Sequence, residues 1–239
     1  MSINRSRLRP LSTVKQLVLG NKGRRPYRVH FGLFRNLVLN LDLQHETQVY
    51  LGLWERETYE YINSISDTCR WMIDVGAGTG ELCLFFLKNS QAEKIIAVEP
   101  QTSEIDILKS NLILNQEQSS KRIIVLAKCV GTAIHPNYFS LDALELEKDK
   151  RGFIKIDVEG YEMDVLQSGE RLLSSTTVDL LVETHSKILE EQCLEWLVSK
   201  GYHCKVIMNA WWRVIIPEQR SILHNRWIWA TNAFHGTSR

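Results

Sequence analysis

Long apolar runs are missing from this chain of 239 residues. The longest, "LCLFFL" at 82–87, falls well short of the roughly 20 residues a membrane-spanning helix requires. No transmembrane segment is therefore expected. Close cysteine pairs are missing as well. Cys69, Cys83, Cys129, Cys193 and Cys204 are odd in number and scattered, which argues against a zinc ribbon or a disulfide framework and suits a reducing compartment. The cytoplasm is the expected location. Acid is absent from the start of the chain: residues 1–35 carry nine Lys or Arg, and Asp42 is the first carboxylate. The rest is acidic, with 20 bases against 28 acids.

The acid-free start, residues 1–26, reads as a basic arm. Within it "LSTVKQLVLG" (11–20) has the pattern of a short amphipathic helix. No small-residue cleavage site follows a continuous apolar core, so a secretory signal is not expected. A solvated arm, an organelle transit peptide and an electrostatic partner for an anionic substrate, nucleic acid or membrane all stay open.

Residues 27–239 read as one domain, of a size suited to a single substantial core. "YRVHFGLFRNLVLNLDL" (27–43) has the partial alternation of a hairpin, and "TQVYLGLWERETYEYINSI" (47–65) the spacing of a helix. Together, residues 27–66 are expected to cover the cofactor side, with Tyr50, Trp54 and Tyr59 in a lid. From residue 70 onward strands and helices alternate: strands at 71–75, 94–99, 122–130, 152–158 and 178–184, with helices between them, then 202–208 and 225–231. That alternation means a mainly parallel sheet with helices on both faces.

The first strand runs into "DVGAGTGEL" (74–82), and the next ends in "AVEP" (97–100). A dinucleotide turn would place its third glycine where this chain has Glu81, and a carboxylate there repels a pyrophosphate. An acid before the turn, three alternate glycines and an acid ending the second strand suit S-adenosylmethionine instead. The glycines let the backbone approach the cofactor, and Glu99 is placed to accept from both ribose hydroxyls. The expected cofactor residues are Asp74, Gly76, Ala77, Gly78, Gly80, Glu99, Pro100 and Asp157.

The segments "GLFRNLVLNLDL", "WMIDVGAGTGELCLFFL", "IIAVEPQTSEIDILKSNLILN", "FIKIDVEGYEMDVLQSGERLL" and "LLVETHS" resemble, in order and spacing, FkbM-type methyltransferases. The resemblance covers residues 31–186, and "RWIWATN" resembles the family's closing strand. It implies the Rossmann-like, seven-stranded class I methyltransferase sheet with an antiparallel last strand. It also implies methyl transfer to a hydroxyl oxygen of a small molecule or sugar. Gly78-Thr79, where the family often has a pair such as Asn-Ile, is nearer the general class I pattern.

A hydroxyl acceptor must lose a proton, so a base or a metal ion belongs near the methyl group. The ends of the fourth and fifth strands carry Asp157 and Glu159, then Glu183 and His185. Asp157, Glu183 and His185 are the candidate catalytic residues. Three readings stay open for them: Asp157 or His185 as a direct base; Mg²⁺ held by Asp157 and Glu183, with His185 a further ligand; or helix capping by Glu159 and His185. The "DVEG" motif stands where an Asn-Pro-Pro-Tyr loop for amine methylation would be, and Cys129 lacks the neighbouring proline of a cytosine-carbon enzyme. Trp211 and Trp212 are expected to serve as a stacking or sugar-binding platform, or to lie in a core-closing or dimer-forming hairpin. An RNA methyltransferase and a catalytically silent cofactor-binding partner are the alternatives to the O-methyltransferase; an NAD-dependent oxidoreductase is disfavoured by Glu81.

Overall fold

The computed structural model describes residues 23–210, 213 and 224–233. The chain opens with two short strands, β1 (Arg25–Arg28) and β2 (Val38–Leu41), paired antiparallel as a hairpin. Helices α1 (Thr47–Tyr50) and α2 (Tyr59–Ser66) follow, joined through a 3-10 turn at Arg56–Thr58. Where the spacing predicts one helix over 47–65, the chain therefore breaks. The break lies at Gly52 and Glu55, which both adopt left-handed backbone, with φ of +65° and +48°, which a continuing helix cannot contain. Gly52 must be glycine, because a Cβ there would stand 2.5 Å from the Gly32 nitrogen.

The main sheet comprises β3 (Trp71–Val75), β4 (Lys94–Val98), β5 (Ile123–Leu126), β8 (Gly152–Ile156), β9 (Val178–Thr184), β10 (His203–Ile207) and β11 (Arg226–Thr231). Its order is β10-β11-β9-β8-β3-β4-β5. Neighbours are parallel except at β11, which runs antiparallel to both β9 and β10. The expected class of sheet and its reversed last strand are both present. Helices α3 (Glu81–Asn89), α4 (Thr102–Leu114), α5 (Glu162–Ser168), α6 (Glu170–Ser175) and α7 (Lys187–Ser199) make the crossovers. The predicted third strand divides instead. Its end, β6 (Cys129–Val130), leaves the sheet to pair with β7 (Tyr138–Phe139), and Cys129 lies there. Residues 162–175 form two helices that meet at Gly169, where a Cβ would stand 3.0 Å from Leu141 Cβ.

The central strands β3, β8 and β9 are buried throughout, which is why their sequences are nearly continuous apolar runs. Their alternation sorts side chains into two cores. Met72, Phe153, Leu181 and Trp227 join the core under the hairpin and α3. Ile73, Ile154, Ile156 and Val182 join the core under α5–α7. Burying a side chain of this size stabilises the fold by about 1.5–3 kcal/mol.

The hairpin does not add to the sheet; it docks on α4. Asn111 Oδ1 accepts from the Asn40 backbone N–H at 2.7 Å, and Asn115 exchanges two hydrogen bonds with Val38 at 3.0 and 2.7 Å. These two amides satisfy the edge of β2, which no further strand covers among the described residues. Asn111 also donates to the Thr79 carbonyl at 2.9 Å, linking the hairpin to the glycine turn. Among the described residues no helix is long and apolar enough to cross a membrane. The amphipathic stretch at 11–20, most of the basic arm, Trp211 and Trp212 lie outside the described residues.

Candidate active site

The glycine turn follows β3 directly. The N–H groups of Gly76 and Ala77 both donate to the Val98 carbonyl, at 2.9 and 3.0 Å, so the turn is tied to the end of β4. All three glycines have left-handed backbone, but each serves a different need. A Cβ on Gly76 would lie 1.9 Å from the Asp157 carbonyl oxygen, so this residue permits the approach of β8. A Cβ on Gly80 would lie 2.6 Å from Leu108 Cγ, so this one permits α3 to pack on α4. A Cβ on Gly78 would meet nothing within 4 Å; the space beside it belongs to the site.

Glu99 follows β4 and is buried. Its Oε2 accepts from the Gly78 N–H at 3.0 Å and its Oε1 from the Gln101 N–H at 2.9 Å. The carboxylate is thereby held against the turn in one orientation, and each oxygen keeps a further lone pair for another donor. Pro100 beside it is exposed.

A cavity of about 290 Å³ lies over the turn, bounded by Gly76, Ala77 and Gly78 below and by Phe34, Val49, Trp54 and Tyr59 from the N-terminal segment above. The walls carry six carboxylates, Glu46, Glu55, Asp74, Glu81, Glu104 and Asp157, and the ammonium of Lys155. This is a strongly acidic chamber. Asp74 is buried at its floor and accepts from the Cys83 thiol at 3.5 Å. Burial pushes its carboxyl up to about 7, against the opposing pull of Lys155. Burial likewise raises Glu81, whose hydrogen bond from the Thr79 hydroxyl works the other way.

Lys155 is the residue that sequence reasoning missed. It is the last residue but one of β8, buried, with Nζ 2.9 Å from Asp157 Oδ2 and 3.5 Å from Glu55 Oε2. Burial alone would lower its pKa, but Asp157, Glu55, Asp74 and Glu183 raise it well above the ordinary lysine value. The signal was present in "GFIKIDV": a charge inside a strand apolar on both sides must have a buried partner.

The three acceptor-side candidates do converge. Asp157 Oδ1 is 3.6 Å from His185 Nε2, and Glu183 Oε1 is 3.7 Å from the same nitrogen. Glu183 and Trp227 face each other across the β9–β11 pair, and the indole N–H donates to Glu183 Oε2 at 3.0 Å. On the far side of the imidazole, His185 Nδ1 is 2.6 Å from Glu162 Oε1. Glu162 is wholly buried. The capping roles are corrected. Glu159 is exposed, and α5 has no side-chain cap. The α7 cap is Ser186, whose hydroxyl accepts from the Leu189 N–H, and not His185.

One more contact fixes the roof. Glu57 accepts from the Ala210 N–H at 2.8 Å and from two nitrogens of Arg213, at 2.5 and 2.9 Å. Burial would raise the Glu57 carboxyl, but this guanidinium and the Ala210 N–H hold it below the ordinary range. Arg213 also lies 4.9 Å over the Trp227 ring, so the 3-10 turn at Arg56–Thr58 is bolted to the strand that supports Glu183.

Comparison with known proteins agrees with the fold. Among solved structures, the FkbM methyltransferase from Methylobacillus flagellatus superposes with a TM-score of 0.56 at 18% identity, over 85% of this chain and 56% of that one. Trm5b from Pyrococcus abyssi gives 0.50 at 16% identity, over 87% and 55%. A tRNA (m1A22) methyltransferase homologue from Streptococcus pneumoniae gives 0.50 at 16%, over 73% and 68%. These likenesses show the class I methyltransferase fold. No curated protein matches the sequence. The Methyltransferase FkbM domain matches residues 130–207, a span that contains Lys155, Asp157, Glu162, Glu183 and His185.

Proposed function

We propose that the protein is an S-adenosylmethionine-dependent O-methyltransferase acting on a hydroxyl of a small molecule or sugar. The observation that carries this reading is the acidic cavity over the glycine turn, with the Glu99 carboxylate fixed beside it. A phosphate-bearing dinucleotide would meet six carboxylates there, whereas a phosphate-free sulfonium with an ammonium group is attracted to them. The open space at Gly78 and the volume of the cavity also suit this cofactor. Glu99 would hold the ribose, and Asp74 and Asp157 would face the positively charged end. Bound there, the cofactor supplies an electrophilic methyl group to an acceptor oxygen.

The residues of the chain have three tasks. Phe34, Trp54 and Tyr59 cover the cavity and exclude water. The strand ends of β8 and β9 orient the acceptor, since positioning alone supplies much of the rate in such a displacement. The cluster of Asp157, Glu183 and His185 removes the hydroxyl proton, a demand that an amine or carbon acceptor would not make in this form.

Isothermal titration with S-adenosylmethionine and S-adenosylhomocysteine tests the reading, on the wild type and on Glu99→Ala. Loss of the charged hydrogen bonds at Glu99 is expected to weaken binding about 100-fold. A screen of sugar and small-molecule hydroxyls then follows with the labelled cofactor. Absence of binding to a protein with a normal unfolding transition would overturn the assignment.

A further inference from the structure

S-adenosylmethionine carries an ammonium and a carboxylate at its amino-acid end, whereas the cavity walls carry six carboxylates and, among the described residues, one ammonium. The cationic groups of such a ligand are served on every side; its anion is not. We infer that Lys155 binds the carboxylate of the cofactor, in competition with Glu55. This inference rests on the methyltransferase reading and deepens it.

A carboxylate taken out of water among others of its kind needs a cation or several N–H donors. Glycine turns commonly hold anions by their backbone N–H groups, but this one has spent them within the protein. The N–H groups of Gly76 and Ala77 donate to Val98, that of Gly80 to the Ala77 carbonyl and that of Gly78 to Glu99. The hydroxyls of Thr58 and Thr79 are engaged by the Glu55 carbonyl and by Glu81, and the Tyr59 hydroxyl is enclosed. His45 also borders the cavity, but its ring is largely exposed and faces Asp42. Lys155 remains.

Its ammonium is suited to the task. Three N–H groups are available on Nζ, and its two ion-pair partners are Asp157 and Glu55. Burial opposes the charge, but the surrounding carboxylates hold the pKa well above the ordinary lysine value, so the cation persists. The two partners are unequal. Asp157 stands at 2.9 Å, within the range of a charge-assisted hydrogen bond of about 2.7–2.9 Å, and Glu55 at 3.5 Å is beyond it. Glu55 is also held in left-handed backbone, with φ of +48°, which residues with a Cβ rarely adopt. It belongs to the roof segment between α1 and the 3-10 turn, not to the sheet. An incoming carboxylate therefore competes with Glu55, and Asp157 keeps its bond.

Isothermal titration of the full chain with S-adenosylmethionine and with decarboxylated S-adenosylmethionine tests this, because the two compounds differ only in the carboxylate. With no cation serving that group, the acidic walls would make the decarboxylated compound the tighter ligand. The wild type is expected to prefer S-adenosylmethionine by about 10–100-fold, as for a charged hydrogen bond. Lys155→Met should abolish or reverse the preference, and Glu55→Gln should enlarge it. Glu46→Gln, whose carboxylate is held by Arg24, should leave it unchanged, which separates a local contact from the acidity of the whole chamber. The ratio of the two affinities on each variant cancels any general loss of stability. A wild-type preference for the decarboxylated compound overturns the proposal, as does a ratio indifferent to Lys155→Met and Glu55→Gln. If Lys155→Met shows no cooperative unfolding transition, Glu55→Gln decides alone, an unchanged ratio overturning the assignment. Binding of neither compound to the folded wild type sinks the methyltransferase reading itself; binding of both with the wrong preference sinks the lysine assignment alone.

Discussion

The two halves of the site are built from different materials. The half over β3 and β4 is made of backbone: glycines with left-handed φ, N–H groups tied to Val98, and one carboxylate clamped to Gly78. The half at the ends of β8 and β9 is made of charged side chains buried against each other, Lys155 with Asp157 and Glu55, and His185 with Glu162. A backbone site fails by collision, because its atoms cannot move aside. A charge site fails by imbalance, because each ion depends on its neighbours to offset desolvation. The variants below separate these modes.

The largest effect is expected at Gly76→Ala. The new methyl would stand 1.9 Å from the Asp157 carbonyl in a φ of +83°, a clash between two central strands on top of a backbone penalty of about 1–2 kcal/mol. A loss of more than about 4 kcal/mol is expected, read as loss of the cooperative unfolding transition by circular dichroism. Gly78→Ala, whose methyl meets nothing, should instead fold and lose cofactor affinity. If the two variants behave alike, the division of labour within the turn is wrong.

Next comes Lys155→Met on the charge side. Removing one member of a buried ionic group costs about 3–5 kcal/mol. Without the ammonium, Asp157 and Glu55 lose the cation that faces each of them, a charge imbalance that acid, by neutralising carboxylates, relieves. Urea unfolding at pH 8 and pH 5 should show a large deficit shrinking toward the lower value. A deficit equal at both would mean that Lys155 acts by packing.

The smallest effect belongs to Asp74, where the halves meet. Its folded pKa of about 7 lies above an unfolded value of about 3.9. The folded state therefore holds an extra proton between these values, and this group's contribution falls as pH rises from about 4 to 7. Asp74→Asn should remove that slope, gaining on the wild type by up to about 1.4 kcal/mol per pH unit in this window. Denaturant midpoints at pH 5, 6 and 7 decide it; parallel curves would contradict the raised pKa.

Much of the backbone half was legible in the sequence, and the charge half only in part. The alternation from Trp71 onward, the reversed last strand suggested by the resemblance and the glycine turn with Glu99 all correspond to elements of the structure. Asp157, Glu183 and His185 were legible as strand-end residues, and they do meet. Lys155 and Glu162 were passed over because each satisfies a local pattern, a strand and a helix start. The broken helix at 47–65 was misread because its apolar spacing outweighed Gly52, whose close approach to Gly32 is set from another part of the chain.

The sequence by itself determined what depends on neighbours along the chain: strand and helix periods and the left-handed turn that needs glycine. Only the tertiary structure decided what depends on neighbours across the sheet. Asn111 and Asn115 dock the hairpin over the cavity, Trp227 aims Glu183, and Glu162 aims His185. The physical reason is that a backbone preference is set within a few residues, whereas the orientation and charge of a buried polar side chain are set by partners from distant segments that only folding brings within hydrogen-bond reach.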